Sequence, residues 1–135
     1  MKRLDYFELL AHLFEFKLIK DEDNNEYIVF KQSRLISISG IVDKTEFEAL
    51  ENHVHLLARV RKEEFGRLIS IGEIIGSAVL CKLKSQFSDK HFIVYVSTTL
   101  NDSMILRFHQ KWDGELPYIP VDFNAPNEKV LKFEC

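Results

Sequence analysis

Three histidines hold most of the reactive potential of this chain. His53 and His55 stand two residues apart, and His109 lies in a later run with Arg107. If both runs are strands, alternation puts His53 and His55 on one face. The same counting puts His109 on the face away from the core, where Arg107 and Tyr95 join it. Three imidazoles on one face could bind a metal ion, or two could serve as acid and base beside an arginine. The plainer reading makes them surface or structural residues of a half-covered sheet. There is no HExxH, and no carboxylate stands at ligand spacing to them. The expectation is therefore no catalytic residue, no metal and no cofactor. GxSxG, GxxxxGK[ST] and GxGxxG are also absent, and Cys81 has no signalled base.

A second cluster could bind rather than react. Arg107 to Trp112 alternates basic and aromatic residues, a pattern that can stack on single-stranded nucleic acid. The same pattern arises from long side chains snorkelling over a sheet. A formal net charge of −3 and a pI of about 6.0 argue against nucleic acid. Trp112, Asp113, Glu115 and Tyr118 could instead anchor a protein partner, or Trp112 could pack under the chain that follows. Asp21, Glu22 and Asp23, at the tip of an expected hairpin, are either a solvated turn or an acidic prong that steers a basic partner.

The elements that must position these residues are legible in part. Between residues 62 and 87, Phe65, Leu68, Ile69, Gly72, Ile75, Gly76, Val79, Leu80, Leu83 and Phe87 recur at helical spacing. A glycine inside a helix costs about 1 kcal/mol against alanine. Gly72 and Gly76, one turn apart on the apolar stripe, therefore predict close approach of another layer, a sheet. A short amphipathic helix is predicted over residues 4–14. Residues 15–20 and 26–31 read as a hairpin, 35–42 as a third strand, and 53–59 as a strand. Thr45 and Glu48 have capping-box spacing and predict a helix or turn over 43–50. Residues 92–99 are the clearest strand, with 104–112 returning beside them, so that Met104, Leu106 and Phe108 face the core. The tail holds all three prolines and is expected to wrap irregularly, anchored by Tyr118, Ile119 and Phe123.

The resulting fold is α+β. Residues 1–135 form a single domain in which an antiparallel sheet of five or six strands packs against the 62–87 helix, and the 4–14 helix closes an edge. At 46% hydrophobic and 29% charged, the composition is ordinary for a globular chain. Two cysteines give no disulfide framework and suit a reducing cytosol. Asp5, Glu8 and Glu15 interrupt the N-terminal apolar run, so neither a signal peptide nor a membrane span is expected.

The run Asn52-His53-Val54-His55-Leu56-Leu57, the long helix, Phe92 to Val96, and Asp102 to Trp112 with Gly114-Glu115-Leu116-Pro117-Tyr118 resemble a family of small bacterial proteins. These confer immunity to polymorphic toxins, including those of contact-dependent growth inhibition. The resemblance covers roughly residues 38–118, and the RFHQKW-x-GE-x-PY stretch is its most specific part. Arg59-Val60-Arg61 and the turn at Ser88 lack the prolines that the pattern leads one to expect. The resemblance implies a cytoplasmic, non-enzymatic protein whose partner is a cognate toxin, with no nucleic acid or membrane partner. It transfers no contact residues. The alternatives are a small metal-dependent hydrolase using His53, His55 and His109, or a nucleic-acid-binding regulator using Arg107, Lys111 and Trp112.

Overall fold

The computed structural model describes residues 14–119 and 124–135. Apart from Phe14, the helix expected over 4–14 lies outside the described residues, as does Phe123. The chain runs β1 (Phe16–Lys20), β2 (Glu26–Phe30), α1 (Lys44–Glu51) and β3 (His53–Leu57). A 3-10 turn (Lys62–Glu64) then leads into α2 (Phe65–Gln86), β4 (Phe92–Thr99), β5 (Met104–Gln110), β6 (Asn124–Ala125) and β7 (Glu128–Glu134).

The fold is α+β, but its strands form two sheets rather than one. β3, β5, β4, β7 and β6 lie side by side in that order, all antiparallel. β1 and β2 form a separate hairpin, with Phe16 opposite Phe30 and Lys20 opposite Glu26. One face of the large sheet carries both α2 and the hairpin. Phe16 and Phe30 of the hairpin pack on Phe108 with ring centroids 5.4 and 5.0 Å away. Met104, Leu106 and Phe108 are buried on this face, as alternation predicts.

The glycine stripe of α2 does what its spacing predicts. A Cβ on Gly72 would sit 3.0 Å from Val96 Cγ1, and one on Gly76 would collide with the Phe133 ring. The helix can therefore lie directly on β4 and β7, and Leu68, Val79 and Leu83 are buried along the same stripe.

Two further expectations fail. Residues 35–42 are not a strand; a single bridge joins Ile38 to Asp21. Leu35, Ile38 and Ile41 recur every third residue and pack on Ile19, Tyr27 and Val29 of the hairpin's other face. Period three cannot lie along a strand of period two, and Gly40, at φ +71°, redirects the chain. The tail is also not irregular throughout. β7 pairs with β4 along its full length, with Leu131 opposite Val96 and Phe133 opposite Val94. Among the described residues, no helix is long and apolar enough to cross a membrane.

Candidate functional site

The polar side chains converge at the C-terminal end of β5, where His109 and Gln110 point to opposite faces of the sheet. Gln110 reaches toward the hairpin. One edge of β2 pairs with β1, while the other meets side chains instead of a strand. Asn52 Oδ1 accepts the Phe30 N–H at 3.2 Å and its Nδ2 donates to the Ile28 carbonyl at 2.8 Å. Glu48, one helical turn earlier, accepts the Ile28 N–H at 2.9 Å. Gln110 Nε2 donates to the Glu26 carbonyl at 2.9 Å and to Glu48 at 2.8 Å. Glu48 also accepts the Gln110 backbone N–H at 2.8 Å and the Trp112 indole N–H at 2.7 Å.

The Glu48 carboxylate is wholly buried, and each of its oxygens takes two neutral N–H donors. Burial pushes its pKa up to about 7, against the pull of those donors. A proton on either oxygen would face only donors and would have to displace one.

This geometry changes the reading of α1. Its N-cap is Asp43, which accepts the Glu46 N–H at 2.9 Å. The capping box expected between Thr45 and Glu48 does not form, because both side chains are turned inward. Thr45 bonds to Glu115 instead, through its N–H and its hydroxyl, each at 2.7 Å.

His109 faces the other way and is also buried. Its Nδ1 lies 2.7 Å from the Gln110 carbonyl, which fixes the proton on that nitrogen. Nε2 then accepts the Tyr118 N–H at 3.2 Å and sits 3.0 Å from the Tyr95 hydroxyl. The Ile119 N–H donates to that hydroxyl at 3.3 Å. Burial holds the imidazole below its usual pKa and raises the Tyr95 phenol. Both nitrogens are thus committed, Nδ1 to the end of β5 and Nε2 to the loop that follows it.

His53 and His55 are exposed, with ring centroids 5.6 Å apart, and His53 Nδ1 lies 2.6 Å from the Leu50 carbonyl. His53 lies opposite Arg107 in the ladder, so all three histidines share a face. His109 is nevertheless tied into its own hydrogen-bond cluster. Among the described residues, no group of three or more His, Cys, Asp or Glu could hold a metal ion.

The expected partner-binding residues separate into braces and exposed groups. Asp21 accepts the backbone N–H groups of Asp23 and Asn25, the Asn25 amide and the Tyr27 hydroxyl, all at 2.9–3.0 Å. Partial burial raises its pKa, but the bonds from Asn25, Tyr27 and Asp23 together hold it below its usual value. It shapes the hairpin turn, while Glu22 and Asp23 are exposed beside it. Trp112 lies against Tyr27, with centroids 5.2 Å apart, and closes the small core under residues 35–41. Glu115 caps α1 from outside. Asp113 is exposed, and Tyr118 is partly exposed under the Arg107 guanidinium, 4.9 Å from its ring centre.

A cleft of about 160 Å³ opens between His109, Trp112, Leu116 and Glu134. At its rim Lys111 pairs with Glu134 at 3.2 Å. The cleft is small, and its two strongest candidates for proton transfer, His109 and Glu115, are bonded to backbone groups. The arrangement holds segments in place and presents them. Glu48, Asn52 and Gln110 were not legible as a set. The only local signal was an acid held between Phe47 and Ala49, four residues before an asparagine. No family model, curated protein or solved structure matches this chain.

Proposed function

We propose that this protein is an immunity or inhibitor protein that binds a cognate bacterial toxin domain in the cytoplasm and blocks it without chemistry of its own. The observation that carries the reading is the fate of the polar side chains in the RFHQKW-x-GE-x-PY stretch. His109, Trp112 and Glu115 bond inward and hold the loop after β5, Gln110 ties the end of the strand to the hairpin, and the loop presents Asp113, Leu116 and Tyr118 outward. A rigid scaffold bearing an outward-facing loop suits recognition, because little freedom is lost on binding. The acidic balance suits a target with a basic cleft, such as a nuclease, whose capture it would accelerate.

The test is co-expression with the product of the neighbouring gene. The expected outcome is a complex that co-purifies, with nanomolar or tighter affinity, and growth rescue of cells producing the toxin. Absence of both the complex and the rescue overturns the reading. The histidine-based hydrolase has less support, since His109 offers neither nitrogen to a ligand or substrate.

A further inference from the structure

We propose that the surface shared by Val42 and Leu116 is the face that meets the partner, and that the partner offers an apolar site ringed by lysine and arginine. This rests on the binding role proposed above and names the surface that performs it.

Val42 is 95% exposed and Leu116 is 79% exposed. They come from distant parts of the chain, but Glu115 clamps their segments together. Its carboxylate accepts the Lys44 N–H at 3.2 Å and the Thr45 N–H at 2.7 Å. The residue before Leu116 is therefore bonded to the residues two and three after Val42. Each segment is also fixed on its far side. Ile41 packs into the small core, and the Tyr118 N–H bonds to His109. Apolar side chains largely open to water on backbone held at both ends are unexplained by folding, but they are what a docking centre requires.

The charge around them is one-sided. Asp43, Glu46 and Asp113 are exposed carboxylates on the same two segments. The local cation, Lys44, lies 3.9 Å from Glu115 and its ammonium sits over Trp112, 5.6 Å from a ring centre. Lys111, further along the loop, is paired with Glu134. Three exposed carboxylates therefore border two open apolar groups. Such a patch attracts a cationic partner and repels a second copy of itself.

The probe is the product of the neighbouring gene, carrying an inactivating substitution in its toxin domain. The double variant V42S/L116S is expected to weaken its binding by about 100-fold or more. Both side chains face water, so the melting temperature should move by no more than about 2 °C. The triple variant D43S/E46Q/D113N, in which serine keeps the helix cap, is expected to slow association about tenfold at low salt and flatten its salt dependence. Ile74→Ser, on the outer face of α2, is expected to leave affinity unchanged. If wild-type protein binds and V42S/L116S binds equally well, this surface is wrong and the inhibitory role stands. If wild-type protein does not bind, both are wrong. A homodimer dissolved by V42S/L116S would assign the patch to a second copy and overturn the cationic partner.

Discussion

Gln110 and His109 are adjacent on β5, yet they open onto two polar clusters that respond oppositely to pH. On the Gln110 side, Glu48 joins the hairpin to the large sheet through four N–H donors. On the His109 side, an imidazole and a phenol pin a loop to the sheet's other face. Burial favours the neutral form of both groups. For the acid this raises the pKa from 4.5 to about 7, so between those values the folded state holds more protons than the unfolded one. The stabilisation that Glu48 gains from this is complete below about 4.5 and lost as pH rises through about 7. For the base the pKa falls below 6.5, so its contribution is present above 6.5 and lost as pH falls through the folded value. The same dry environment thus tilts the pH dependence of folding one way through Glu48 and the other way through His109.

The comparison is broken most sharply at Glu48. Glu48→Ala leaves the Ile28 and Gln110 backbone N–H groups and the Trp112 indole N–H without their acceptor and is expected to cost at least about 4 kcal/mol, read from urea unfolding. Glu48→Gln turns an amide NH2 toward two N–H groups and should lose about 2–3 kcal/mol near pH 5. A loss below about 1 kcal/mol would show that the hairpin does not depend on this group.

The second test sharpens the contrast in sign. A shift from 4.5 to about 7, at roughly 1.4 kcal/mol per unit, is worth about 3–4 kcal/mol. The advantage of wild-type over Glu48→Gln should shrink by about that amount between pH 4.5 and pH 8. A constant gap would mean that the carboxyl keeps an ordinary pKa in the fold. The mildest effect belongs to the other cluster. Tyr95→Phe removes the bonds to His109 and Ile119 and should cost about 1–2 kcal/mol. Amide exchange should quicken at Tyr118 and Ile119 and stay unchanged at Ile28. Equal acceleration at Ile28 would show that the two clusters open as one.

Local pattern made much of the fold legible. The α2 stripe, the hairpin, β4 and the inward face of β5 all follow from periodicity, and Gly72 and Gly76 foretold the sheet beneath them. The strand expected over 35–42 failed because Leu35, Ile38 and Ile41 follow a three-residue spacing that one face of a strand cannot carry. β7 was missed because Glu128, Lys129 and Lys132 dilute its apolar content, and the prolines before it suggested an irregular tail. Its Leu131 and Phe133 gain their meaning from Val96, Val94 and Gly76. The candidate site was less legible for a related reason. Glu48 meets its partners 62 and 64 residues away, and Glu115 meets its own 70 and 71 residues away. Short-range patterns carry no trace of such bonds, so Glu115 looked like a contact residue and Glu48 like half of a capping box.

The side chains of Asn52, Glu48 and Gln110 stand where a further strand would otherwise lie against β2. A bare flank of that kind recruits strands from other molecules and seeds polymers. Here the chain answers its own flank from within, so the hairpin is insulated from self-association only while α1 remains seated. Damage to that short helix would therefore show first as fibres or precipitate growing from the hairpin, well before the large sheet comes apart.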